Sequence, residues 1–89
     1  MGLKMSEEKV GSVMAFYAKV SVAAIELTDG SLKIGDKIKV KGATTDFTQT
    51  IESMQVEHDA VQEAQKGSSV GIKVKDKVRP NDQILKITE

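Results

Sequence analysis

Apolar residues recur mostly at every second position along the chain, which is the period of a β-strand and not of a helix. Residues 9–27 alternate apolar with short polar side chains and predict two strands broken near Ala18 and Lys19. In Val13-Met14-Ala15-Phe16-Tyr17 and in Val22-Ala23-Ala24-Ile25 both faces of the strand are apolar, an unusual feature for a half-buried sheet. Thr28-Asp29-Gly30-Ser31 then supplies Asp-Gly, a tight-turn signal because both residues tolerate positive φ. Residues 36–41 alternate cleanly, with Ile38 and Val40 on a core face and Lys37, Lys39 and Lys41 on a wet one. After a turn at residues 42–45, residues 47–56 predict a long strand whose parity slips, since Ile51 fits one register and Met54 and Val56 the other. A β-bulge near Glu52 and Ser53 would reconcile them and bend the sheet towards closure. Residues 57–66 lack alternation; Val61 and Ala64 permit a short helical turn ended by Gly67, and the segment is expected to be mostly loop. Val70, Ile72 and Val74 then alternate with Gly71, Lys73 and Lys75, and residues 83–87 make the last strand.

An internal echo ties these pieces together. Lys33-Ile34-Gly35-Asp36-Lys37-Ile38 and Arg79-Pro80-Asn81-Asp82-Gln83-Ile84 share a basic residue, a turn, a positive-φ residue, an aspartate and a strand onset. Pro80-Asn81 suits a type II turn, and Lys66-Gly67-Ser68-Ser69-Val70 is a weaker third copy. Six strands joined by short turns and one longer connection predict an all-β fold, a small closed or nearly closed barrel without exposed edges. A β-sandwich is the structural alternative. Residues 1–8 are polar and irregular and are expected to be disordered, leaving residues 9–89 as the domain.

Composition narrows the function classes. With 89 residues and 9.6 kDa the chain supports one modest core. Cysteine is absent, which excludes disulfide scaffolds, zinc ribbons and thiol nucleophiles. No apolar stretch approaches the roughly 20 residues of a membrane helix and no signal-peptide core is present, so a cytoplasmic protein is expected. Met1-Gly2-Leu3-Lys4-Met5-Ser6 fits the loose N-myristoylation pattern, but no second membrane signal accompanies it. Charge balances overall yet is segregated: residues 1–45 carry 7 basic and 5 acidic groups, residues 46–65 none and 5, and residues 66–89 carry 6 and 3. Arg79 is the single arginine, so phosphate recognition would rest on lysine point charges.

Catalytic chemistry finds little to stand on. His58, flanked by Glu57 and Asp59, is the single histidine; it lacks the converging donors a metal needs and reads as a solvated loop residue. The serines have no nucleophile turn around them, and Asp36 and Asp82 suit backbone hydrogen bonding in the paired turns better than acid–base work. No glycine is followed by Lys-Ser or Lys-Thr as a phosphate-cradling loop requires, which excludes nucleotide hydrolysis. A non-enzymatic protein without metal or cofactor is expected. Two binding surfaces remain. Lys37, Lys39, Lys41, Lys73 and Lys75 would form a basic stripe for RNA if their strands were adjacent. The two-faced apolar strands would instead offer Met14, Phe16, Tyr17, Ala23 and Ile25 to a protein partner.

The order of Val20-Ser21-Val22-Ala23-Ala24-Ile25, Gly30-Ser31-Leu32-Lys33-Ile34-Gly35-Asp36-Lys37-Ile38, Thr45-Asp46-Phe47-Thr48-Gln49, Ser53-Met54-Gln55, Ala64-Gln65-Lys66-Gly67 and Val70-Gly71-Ile72-Lys73-Val74 resembles the second domain of translation GTPases such as elongation factor Tu. It is similar to the small proteins called translation elongation factor-like and to the C-terminal barrel of collagenase-like peptidases. The chain departs from the commoner Gly-Asp pattern at Gly67-Ser68 and Asn81-Asp82, where Asn81 still tolerates the left-handed conformation. The resemblance implies a six-stranded Greek-key β-barrel that binds RNA or a ribonucleoprotein. Its alternative implication is a protein-interaction accessory module, a stand-alone counterpart of the peptidase-associated barrel.

Overall fold

The computed structural model describes residues 6–57 and 59–88. Among the described residues ten strands form: β1 (Ser6–Tyr17), β2 (Val22–Leu27), β3 (Leu32–Lys33), β4 (Lys37–Lys41), β5 (Asp46–Thr50), β6 (Met54–Val56), β7 (Asp59–Val61), β8 (Glu63–Ala64), β9 (Ser69–Lys73) and β10 (Gln83–Thr88). Eight of them make one antiparallel sheet in the order β5-β4-β10-β1-β2-β9-β6-β7, and β3 pairs with β8. The fold is all-β, with no helix among the described residues.

The sheet curls around one core. Val10, Val13, Ile25, Leu27, Ile38, Val40, Ile72 and Ile84 are almost wholly buried, and Ile38, Val40 and Ile72 come from the strand faces that alternation with lysine turns inward. Burial of this largely β-branched set supplies the main stabilisation, since a chain without cysteine has no disulfide to assist it.

Four expectations need correction. The end strands β5 and β7 are not paired with each other, so the backbone ladder stays open where a closed six-stranded barrel was expected. The parity slip in residues 47–56 is a break and not a bulge: β5 pairs with β4, β6 pairs with β9 and β7, and Ile51 is buried between them in extended chain. The expected loop at residues 57–66 contains β7 and β8, because neighbouring strands supply the ladder that short apolar patterns cannot announce. At the N-terminus, Ser6, Glu7 and Glu8 pair with Thr88, Ile87 and Lys86, so strand pairing reaches into the segment expected to be disordered. Residues 1–5 of that segment lie outside the described residues.

A side chain spans the open seam. Gln49 on β5 donates from Nε2 to the Lys73 carbonyl at 2.8 Å and accepts from the Lys75 amide at 2.9 Å, so its primary amide takes the place of a strand-to-strand ladder step. Gln49→Ala is expected to cost about 1–2 kcal/mol, the net worth of two hydrogen bonds. It should also speed exchange of the Lys75 amide relative to amides in β1 and β2, as measured by hydrogen exchange.

The repeated turns form as the echo predicts. The Asp36 amide donates to the Lys33 carbonyl at 3.1 Å and the Asp82 amide to the Arg79 carbonyl at 3.1 Å. Each aspartate side chain accepts in return from the first residue of its turn, Lys33 at 3.0 Å and Arg79 at 2.8 Å. The residue before each aspartate has positive φ, 96° at Gly35 and 76° at Asn81. In the weaker copy Gly67 has φ of 95° and the Ser68 amide donates to the Gln65 carbonyl at 3.0 Å.

Candidate functional site

The phase of β2 is set by its one charge. Glu26 must face water, so Ala24 and Val22 share its face, and Ala23 and Ile25 point into the core. Cross-strand pairing carries this phase to the neighbours: Tyr17 lies opposite Val22 and Ala15 opposite Ala24, while Ala24 lies opposite Gly71 and Gly71 opposite Gln55. The outer face of β1, β2, β9 and β6 therefore carries a row of very small side chains, Ala15, Ala24 and Gly71, with Tyr17 and Val22 standing beside it. The turn after β1 adds to the wall. Val20 donates its amide to the Tyr17 carbonyl at 3.2 Å, Ser21 adopts φ of 56°, and Val20 is left 58% exposed. The result is an open groove of about 550 Å³ lined by Tyr17, Val20, Val22, Ala24, Gly71 and Glu57, among others.

Of the residues expected at a protein interface, Met14 and Tyr17 are exposed, at 43% and 56%. Phe16 is half-buried and packs against the core. Ala23 and Ile25 are fully buried and are withdrawn from the surface set. The register of β1 shifts between Val13 and Ala15, so Met14 is the extra residue of a bulge and the strand changes phase there. Val20, Val22, Ala24 and Gly71 take the place of the two core residues. Glu26 was the signal that could have found Val22 and Ala24.

The lysines are not gathered into one stripe. Lys37, Lys41, Lys73 and Lys75 are exposed, but β10, β1 and β2 lie between β4 and β9 in the sheet. Lys39 is the most enclosed of the five, with Nζ 3.4 Å from the Glu7 carboxylate and 4.0 Å from that of Asp46. Its charge is compensated within the domain. On the opposite route around the sheet, β5 and the Gln49 side chain separate the two lysine groups.

The candidate chemical residues play structural parts where they are described. Asp36 accepts from the Lys33 amide and pairs with Lys86 at 3.5 Å, and Asp82 is buried in its turn. His58 lies outside the described residues. Among the described residues no three His, Cys, Asp or Glu side chains converge as metal ligands, and no helix is long and apolar enough to cross a membrane.

Fold and surface together define a barrel-like all-β domain with an apolar groove on its outer face. No protein-family model matches the chain. Its fold is that of the C-terminal domain of a putative U32 peptidase from Geobacillus thermoleovorans, with a TM-score of 0.81 over 86% of this chain and 96% of that one, at 24% identity. In sequence it is similar to an uncharacterized protease of Methanocaldococcus jannaschii, 42% identical over 87 residues, which is 97% of this chain and 21% of that protein. It is also similar to a collagenase of Porphyromonas gingivalis, 37% identical over 78 residues, 86% of this chain and 22% of that protein. The chain thus spans about a fifth of the length of the curated relatives it matches. These likenesses support the peptidase-associated side of the sequence resemblance and lend nothing to its translation-factor side.

Proposed function

We propose that the domain is a non-catalytic protein-docking module, the counterpart of the C-terminal domain of U32 peptidases, and that it docks through the outer groove of β1, β2 and β9. The observation that carries this reading is the exposure of Tyr17 and Val20 along this groove, outside a core that the sheet's inner face already fills. Apolar groups gathered outside a complete core mark contact surfaces. The curated relatives are named a protease and a collagenase as whole proteins, so a surface that meets a peptidase-type partner suits a segment matching a fifth of them. The RNA reading is weaker, because the lysine strands are apart and Lys39 is already paired.

The test is a two-dimensional amide NMR titration of the labelled protein with the Methanocaldococcus jannaschii relative truncated to remove its matching segment, and separately with bulk tRNA at low and near-physiological salt. The expected result is perturbation of the Tyr17, Val22, Ala24 and Gly71 amides by the truncated relative. Ala24→Arg should then weaken binding about tenfold or more while changing stability by less than about 0.5 kcal/mol, as surface substitutions do. Salt-sensitive shifts at Lys37, Lys41, Lys73 and Lys75 with tRNA, and none with the truncated relative, would reverse the reading.

A further inference from the structure

We propose that the groove takes a partner segment in which an aliphatic side chain is followed closely by a basic one, the aliphatic group lying over Ala24 and Gly71 and the cation meeting Glu57. The proposal rests on the docking reading and names the chemistry of its occupant. The floor of the groove is made of the two smallest side-chain types, Ala24 and Gly71, and its wall of Val20, Val22 and Tyr17, a space shaped for a branched apolar group. Glu57 is the one charged residue lining it among the described residues. This carboxylate sits in the turn joining β6 to β7, whose Val56 and Asp59 are paired, and its φ of 52° fixes where the side chain starts.

The surroundings favour the same partner charge. Asp59, opposite Val56 at the base of the same turn, adds a second exposed carboxylate beside Glu57. A cationic side chain is drawn to this turn and an acidic one repelled, which sets partner choice more than affinity. Tyr17, exposed and lining the same groove, supplies an aromatic ring there that favours a cation over an anion.

The probes are N-acetyl-leucyl-arginine amide and N-acetyl-leucyl-glutamate amide, titrated into the labelled protein and into Glu57→Gln, with amide shifts read by NMR. The arginine peptide should move the Val22, Ala24, Gly71 and Glu57 amides with about threefold tighter apparent affinity than the glutamate peptide, the scale of a solvent-exposed ion pair. The difference should vanish in Glu57→Gln while the leucine-dependent shifts remain. Equal responses to both peptides in the unaltered protein would overturn the cation preference and leave the docking face in place. If neither peptide moves the groove amides but the truncated relative does, the occupant proposed for the groove is wrong and the docking reading stands. If none of the three moves them, both fall.

Discussion

Ile25→Ala is expected to lower the folding free energy by about 3–4 kcal/mol, whereas Tyr17→Ala should change it by less than about 1 kcal/mol. Both residues belong to the same apolar pair of strands, and the difference lies in which face each one occupies. Ile25 is fully buried, opposite Val13 on β1 and Val70 on β9, two further core residues. Truncating it leaves a cavity among three strands whose backbones are fixed by ladders on both sides, so little collapse can fill the space. Tyr17 is at the end of β1 with more than half of its surface in water, so its loss removes little packing. A domain of this size has roughly 4–13 kcal/mol in total, so Ile25→Ala should bring it close to unfolding. Urea titrations followed by circular dichroism test this directly. At about 1 kcal/mol per molar for a small domain, the midpoint should fall by about 3 M for Ile25→Ala and by under about 1 M for Tyr17→Ala. The reverse order would mean that β2 faces the other way and that the groove is core.

How legible this was in the sequence depended on whether one side chain or a distant strand decided the matter. β4 and β9 could be read because lysines alternate with Ile38 and Val40, and with Ile72, so charge fixes the phase of each strand. The turns before Asp36 and Asp82 could be read because their geometry is local: a positive-φ residue and an aspartate whose carboxylate returns to the first amide. The slip between Ile51 and Met54 was visible, but a bulge and a break produce the same parity. The pairing of β5 with β4 and of β6 with β9, which distinguishes them, is a long-range fact. Ser6 to Glu8 have no apolar pattern because the ladder to β10 holds them by main-chain bonds and their side chains stay in water. The Gln49 bridge lies wholly outside hydrophobic periodicity. At the candidate site the two-faced pattern of β1 and β2 was legible as an oddity, but the bulge at Met14 and the phase set by Glu26 had to be combined before the surface residues separated from the core.

Gly11→Ala should destabilise the domain by about 3 kcal/mol or more, although it adds a single methyl group. Gly11 is buried on β1 just after the register shift that follows Lys9, opposite Leu27 on β2. A Cβ there would overlap the Glu26 carbonyl oxygen and crowd the Leu27 Cα. Both obstacles are main chain, so neither can rotate away as a side-chain tip would. β1 is also held on the other side by β10, and the Val10 carbonyl beside Gly11 accepts from the Thr28 and Asp29 amides at 3.0 Å each. The methyl group therefore has to push β1 off β2 and strain the turn after β2 as well, disrupting the pair of strands that carries the groove. Gly35→Ala is the matched control: nothing lies within 4 Å of its would-be Cβ, and its cost comes from positive φ alone, about 1 kcal/mol. Urea midpoints should rank wild type, Gly35→Ala and Gly11→Ala in descending order, and partner-induced shifts at Val22 and Ala24 should survive in Gly35→Ala. A Gly11→Ala protein as stable as Gly35→Ala would mean that β1 and β2 do not approach as closely as this account requires, and the groove built on their pairing would have to be redrawn.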